Sequence, residues 1–229
     1  MLASTRTLAA RPWLYLVTPS IASTKEVVRI VDEAIQGGVN VVQLRNKLYA
    51  PDSNELREMA QAVREITQAH QVPFLVNDYV QLALSVGADG AHIGQEDATI
   101  DQAKALIQSA NVNNFILGVT VRDAIQATAA CKAGASYLGV GPVYMSSTKK
   151  QANDGKTINL DGLESVATTA ASFHVPIVAI GGINASRVES CMNSKASGVA
   201  VVAAISEAQD IRAASAALWQ QVSKYHAVV

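Results

Sequence analysis

The sequence predicts a (β/α)8 barrel, and three observations carry that prediction. Apolar β-type runs alternate strictly with helix-length amphipathic segments, eight times over. The runs are near-continuous Val, Ile and Leu, as in a sheet buried on both faces. Small-residue turns recur ahead of strands, at Gly87-Ala88-Asp89, Gly134-Ala135-Ser136 and Ala196-Ser197-Gly198, where a helix end packs close to the lower rim of a sheet. Strict alternation implies parallel strands joined by right-handed crossovers. Eight such units close on themselves. A doubly wound open sheet is the structural alternative.

The elements follow in order. Residues 13–18, WLYLVT, form the first strand. The segment 24–36 is a helix, with Val27, Val28, Ile30, Val31, Ala34 and Ile35 on one face and Gly37-Gly38 as its stop. Residues 39–44 are the second strand. A long helix over 52–70 opens at Pro51-Asp52-Ser53 and buries Leu56, Met59, Ala60, Val63 and Ile66. The third strand is 74–76, with a short helix over 79–86. The fourth strand is 90–94, with a helix over 99–109. The fifth is 115–120, with a helix over 122–133. The sixth is 137–142 and runs into a polar loop, 145–156. A helix over 160–172, a strand over 177–181, a helix over 184–192, a strand over 198–203 and a last helix over 207–224 complete the alternation. The chain reads as one barrel with a short leading segment over about 1–12. That segment is too short and polar for a signal sequence, and no transit peptide is expected.

The totals exclude several functions. Hydrophobic residues make up 49% of the 229 and charged residues 16%, ordinary for a globular chain with a large core. The net charge of −1, from 18 Lys and Arg against 19 Asp and Glu, gives no footprint for nucleic acid or a membrane surface. No apolar run is long enough to span a bilayer. Cys131 and Cys191 fall in separate helical segments, frame no metal site and suit a reducing cytoplasm.

In such barrels the chemistry sits at the carboxyl ends of the strands. Those positions hold a biased set: Gln43, Arg45, Asn46 and Lys47; Asn77 and Asp78; Gln95, Glu96 and Asp97; Thr120; Ser146 to Lys150; Gly181-Gly182; Val202-Ala203. Arg45, Lys47 and Lys149 are cations on separate loops over one mouth, and they repel unless a polyanion lies between them. Asp78 and Asp97 make poor direct partners for a phosphate. Mg²⁺ resolves this, because it takes one or two carboxylates and completes its shell with phosphate oxygens and water. Gly181-Gly182 with Val202-Ala203 match the loops that hold a monophosphate through backbone N–H groups. Two anion sites in one pocket are expected: a metal-assisted diphosphate site and a backbone monophosphate site.

Each residue has a structural reading beside this one. Asp78 and Asp97 could cap the helices that follow them. Arg45 could pair with Glu96 across the rim, and Gly141-Pro142 could simply end a strand. His92 reads as a packed core histidine, and Trp13, Tyr15 and Tyr137 as core or rim.

The segments LYLVT, VVQLRNK, FLVNDYVQLALSVGADGAHIGQED, LGVGPVYMSSTKK, VAIGGIN and GVAVVAAI, in that order, resemble the thiamine phosphate synthase family over nearly the whole barrel. The resemblance implies a transferase that joins a hydroxymethylpyrimidine diphosphate to a thiazole phosphate, with Mg²⁺, and releases diphosphate. It implies that Gln43, Arg45, Lys47, Asn77 and Lys149 hold the pyrimidine diphosphate, with Thr120 beside it. It assigns Mg²⁺ to Asp78 and Asp97. It assigns the thiazole phosphate to Ser146, Thr148, Gly182, Val202 and Ala203. Arg45, Lys47, Lys149 and Thr120 are the expected catalytic set: the cations neutralise charge on the leaving diphosphate and Thr120 sits beside it. Three residues depart from the family pattern: Asn46 where an acid is frequent, Thr120 for Ser, and Ala203 for Ser. The resemblance implies small-molecule partners only, in the cytoplasm, and leaves a homo-oligomer open. A thiazole tautomerase on the same barrel, or a phosphate-metabolite sensor without catalysis, is the alternative. The loop 145–156 is expected to bridge the two substrates, with 151–156 closing as a lid pivoting at Gly155.

Overall fold

The computed structural model describes residues 8, 12–146 and 155–225. Eight parallel strands close into a barrel in sequence order, which excludes the open sheet. The elements are β1 Trp13–Val17, α1 Thr24–Gln36, β2 Val41–Leu44, α2 Asn54–Ala69, β3 Phe74–Asn77, α3 Val80–Ser85, β4 Gly90–Ile93, α4 Ile100–Ser109, β5 Ile116–Val121, α5 Ala124–Lys132, β6 Tyr137–Val140, α6 Asn159–Ala171, β7 Ile177–Ile180, α7 Val188–Asn193, β8 Gly198–Val201, α8 Ala203–Ser206 and α9 Ile211–Val222. The leading segment falls outside the described residues apart from Leu8 and Pro12. No helix among the described residues is long and apolar enough to cross a membrane.

Side chains alternate along each strand, so every strand feeds two cores. One set, including Leu14, Leu16, Val42, Leu44, Val76 and Leu138, packs outward under the helices. The other points into the barrel: Trp13, Tyr15, Val17, Val41, Leu75, Ile116, Tyr137, Val178 and Ala200. These interior residues fill the lumen, so the barrel is a plugged well and not a pore. Two glycines make room for its rings, and a third lets two strands approach closely. A Cβ on Gly118 would lie 2.3 Å from the Tyr137 ring and on Gly139 2.8 Å from the His92 ring, while on Gly198 it would lie 2.3 Å from the Trp13 carbonyl oxygen of the neighbouring strand.

Local chemistry sets the helix starts. Ser23, Ser53, Asp123 and Asp210 each accept from an N–H in the first turn of α1, α2, α5 and α9. Thr99 and Gln102 form a reciprocal capping box on α4. The Asp210 cap explains why the last helix begins at Ile211 and not at Glu207. The residues between β8 and Asp210 instead form the short α8, which the sequence pattern merged with its neighbours. Helix α7 likewise starts later than expected, because Asn184 holds a turn through its side-chain oxygen, which accepts from the backbone N–H and hydroxyl of Ser186. Strand β6 is also shorter than read: it stops at Val140, ahead of a cis Gly141–Pro142 peptide.

At the lower rim the one acid of the Gly-Ala-Asp turn is fully used. Asp89 accepts from Arg64 at 2.8 Å and from the backbone N–H of Phe74 at 2.9 Å. Cys131 and Cys191 are buried free thiols.

Candidate active site

The upper mouth encloses a cavity of roughly 630 Å³. Eight of the expected site residues line it: Gln43, Arg45, Asn77, Thr120, Ser146, Gly182, Val202 and Ala203. Thr148 and Lys149 lie outside the described residues, as do Ser147, Lys150 and most of the expected lid. Lys47, Asp78 and Asp97 do not line the cavity; they meet beside it, at the exits of β2, β3 and β4.

The exit of β2 is fixed by the preceding loop. The buried Thr18 hydroxyl accepts from the Arg45 N–H at 2.9 Å and donates to the Arg45 carbonyl at 3.2 Å. The Lys47 N–H donates to the Ser20 hydroxyl. Arg45 and Lys47 flank Asn46, which alternation turns the other way. The Asn46 amide donates to the Ile21 carbonyl at 2.7 Å, and its oxygen accepts from the Leu48 N–H at 2.8 Å. Its departure from the family pattern therefore concerns loop anchoring and not the charge of the mouth, and a carboxylate there could not donate to Ile21.

The two carboxylates do not cap helices. Helix α3 has Tyr79 as its N-cap with no side-chain bond, and α4 is capped by Thr99. Asp78 instead has a left-handed backbone, φ +64°, a conformation an L-residue adopts only under local constraint. Its N–H donates to the His92 carbonyl at 2.7 Å. That turn brings its side chain into an ion pair with Lys47 and a hydrogen bond with Asp97. Asp97 also accepts from the Gly94 N–H at 2.8 Å. Burial, then the neighbouring Asp97, raises Asp78 to about 6, against the opposing pull of Lys47. Desolvation pulls Lys47 down, but Asp78, Tyr79 and Asp97 outweigh it and hold the ammonium above its usual range.

Burial is the larger cause of that rise, so a divalent cation at this rim would stabilise the charged form of the carboxyl. No three His, Cys, Asp or Glu among the described residues group closely enough to cage a metal. Two carboxylates without a third suit Mg²⁺, whose remaining ligands come from phosphate and water, so the donor set fits that ion.

Beneath the charged rim runs a chain of buried polar groups. Gln43 Nε2 donates to the Tyr15 hydroxyl at 2.7 Å, Tyr15 meets the Tyr137 hydroxyl at 2.8 Å, Tyr137 meets His92 Nδ1 at 2.8 Å, and His92 Nε2 meets the Thr120 hydroxyl at 2.8 Å. The first donor orders the rest. Tyr15 accepts from Gln43, so its own buried proton must go to Tyr137. Tyr137 then donates to Nδ1, His92 carries its proton on Nε2, and Thr120 accepts. That leaves the Thr120 proton to donate elsewhere. Burial raises the pKa of both phenols, so they stay neutral donors. His92 is a core histidine, as expected, but one that orients a mouth hydroxyl. Gln95 secures the same strand end by donating to the Thr120 carbonyl.

On the opposite side the exits of β6, β7 and β8 form a site made mainly of backbone. Gly181 and Gly182 have φ +103° and +62°. A Cβ on Gly182 would lie 2.2 Å from the Met145 carbonyl oxygen, so only glycine fits. The N–H groups of Val143 and Tyr144 donate to Ile180 and Gly181 and bind the β6 exit to β7. The first N–H groups of α8 precede any intrahelical bond.

Two arginines on the cavity wall escaped the sequence reading. Arg122 follows β5 by one residue and Arg187 precedes α7. With Arg45 they make three arginines and no carboxylate among the described residues lining the cavity. No ion pair among the described residues engages any of them, including the expected Arg45–Glu96 pair. Arg122 Nε is buried without a hydrogen-bond partner.

A family profile described as thiamine monophosphate synthase matches residues 14–205. The chain belongs to that family. It is 39% identical to the thiamine-phosphate synthase of Chloroflexus aurantiacus over 92% of each chain. It is 37% identical to that of Geobacillus kaustophilus over 91% of each. A solved structure, thiamine phosphate pyrophosphorylase from Pyrococcus furiosus, superposes with a TM-score of 0.81 at 32% identity, covering 94% of this chain and 98% of that one. Family membership accords with a cavity whose lining charges, among the described residues, are all positive.

Proposed function

We propose that this chain condenses 4-amino-2-methyl-5-hydroxymethylpyrimidine diphosphate with a thiazole phosphate to give thiamine phosphate and diphosphate. The observation that carries the reading is the charge of the cavity: three arginines line it with no carboxylate among the described residues, and Asp78 and Asp97 meet as a pair at the rim. Such a mouth takes a polyanion and a divalent cation together.

In the proposed reaction the C–O bond to the diphosphate breaks with its electron pair leaving on oxygen. The thiazole nitrogen supplies the pair for the new C–N bond, and no proton need move. Asp78 and Asp97 would hold Mg²⁺, which would supply charge neutralisation for the leaving diphosphate. Arg45, Lys47 and Lys149 add fixed positive charge around that group. Asn77 and the Thr120 hydroxyl, a donor by virtue of the His92 chain, supply hydrogen bonds to it. Gln43, held by Tyr15, lies on the cavity wall where the aminopyrimidine is accommodated. Ser146, Thr148 and the N–H groups of Gly182, Val202 and Ala203 hold the thiazole phosphate. Two anchored phosphates set the nitrogen in line with the methylene carbon.

A tautomerase on this barrel needs a histidine with a nitrogen facing substrate, whereas both nitrogens of His92 are engaged. Mixing both substrates with and without Mg²⁺ and measuring thiamine phosphate tests the proposal. Product forms only with the metal; no product with Mg²⁺ present refutes it.

A further inference from the structure

The thiazole phosphate site as read above is nearly all backbone and hydroxyl, and it lacks a hydroxyl at Ala203. A dianionic phosphate held by neutral donors alone leaves most of its charge uncompensated. Arg187 stands at that place. Its guanidinium donates to the Gly182 carbonyl and lies over the Tyr144 ring, 4.5 Å from the centroid. Gly182 itself packs against Tyr144 and Met145, so the guanidinium is clamped between the β6 and β7 exits. The loop that carries it is tied by Asn184, which accepts the Arg187 N–H on its carbonyl and Ser186 on its side chain. Arg187 lines the cavity, and no carboxylate pairs with it among the described residues. A guanidinium has five N–H donors in a planar fork, and the carbonyl of Gly182 takes up one direction of it. A cation at the start of a helix also opposes the helix dipole, so local helix stability does not account for it.

We propose that Arg187 is the cationic anchor of the phosphate on the thiazole substrate, and that it makes the enzyme select the phosphorylated thiazole over the free alcohol. The assignment rests on the synthase reading for its substrate, but the anion site stands on the cavity geometry alone. Tyr144 lies against the guanidinium and Gly182 takes one of its N–H groups, which leaves other N–H groups for a ligand in the cavity that Arg187 lines. The same charge is felt deeper in the wall, where it opposes the burial that raises Tyr144 and the burial that pushes Cys191 up to about 11.

The test has two arms. In steady-state assays with each substrate varied, Arg187→Gln raises the KM for thiazole phosphate about 10- to 100-fold, the loss expected for one charge-assisted contact, against less than about twofold for the pyrimidine diphosphate. Arg187→Lys gives an intermediate rise, because charge is kept but the fork and the stacking are lost. The dephosphorylated thiazole alcohol is used equally by wild type and Arg187→Gln. If KM rises equally for phosphate and alcohol, Arg187 only packs against Tyr144 and the inference falls. In the second arm, calorimetry with inorganic phosphate detects binding to wild type and at least tenfold weaker binding to Arg187→Gln. Equal binding to both proteins overturns the anion site. A wild type that binds phosphate through Arg187 but makes no thiamine phosphate refutes the synthase reading and leaves the anion site standing. Thermal melts of both variants confirm folding, and Arg187→Lys carries the test if Arg187→Gln does not fold.

Discussion

The two sides of the mouth hold charge in opposite ways. On the β2–β4 side, Lys47, Asp78 and Asp97 are formal charges that already compensate one another, at the cost of a left-handed aspartate and a raised carboxyl. On the β6–β8 side the donors are backbone dipoles fixed by two left-handed glycines, with one uncompensated guanidinium beside them. Under the proposed function the first side exchanges partners: Lys47 would give up Asp78 as a divalent cation and a diphosphate enter. The second side is held by backbone, and under the same proposal it is expected to change less. A leaving group that gains charge during the reaction is suited to the first side, and a phosphate that only anchors is suited to the second.

The largest effect falls on the exchanging side. Asp97→Ala removes one of two carboxylates and lowers turnover by about 100-fold or more, the scale of lost metal-assisted charge stabilisation, and chelation of wild type does the same. Turnover at wild-type rate in this variant would mean the rim pair is only an internal salt bridge. A middle effect falls on the backbone-held side. Gly182→Ala places a Cβ against the Met145 carbonyl at a positive φ. It raises the KM for thiazole phosphate severalfold and costs about 1–3 kcal/mol of strain, or roughly 2–10 °C of melting temperature by calorimetry. A variant with unchanged affinity and melting point would show that this backbone is not preformed. The smallest effect is a gain. Ala203→Ser restores a hydroxyl where the backbone alone is available and lowers the KM for thiazole phosphate by about two- to fivefold, one ordinary hydrogen bond. A higher KM would place the phosphate elsewhere.

The barrel was legible because its strands are buried on both faces, and two-sided burial writes itself as uninterrupted Val and Ile. The strand-end residues followed from topology alone, since a parallel barrel puts every carboxyl end on one face. What escaped notice depends on contacts across the lumen. Tyr15, Tyr137 and His92 sit on β1, β6 and β4, and each alone looks like core. The glycines opposite their rings, Gly118 and Gly139, are the trace such packing leaves in a sequence, but the pairing needs strand register to read. Arg187 was missed because it lies seven residues past β7, beyond the strand-end window, although its position at a helix start was a local oddity. Arg122 was missed by two residues past Thr120. The aspartates were read correctly as non-capping residues only as a pair. Structure adds the reason: each following helix starts with a different N-cap, Tyr79 or Thr99.

The plugged lumen has a consequence for traffic. Because Trp13, Tyr15, Tyr137 and their neighbours close the barrel below the mouth, the cavity has a floor and ligands cannot reach it along the barrel axis from the lower rim. A ligand seated at the aromatic floor is therefore expected to enter before one bound above it and to leave after it, an order that product-inhibition kinetics would read.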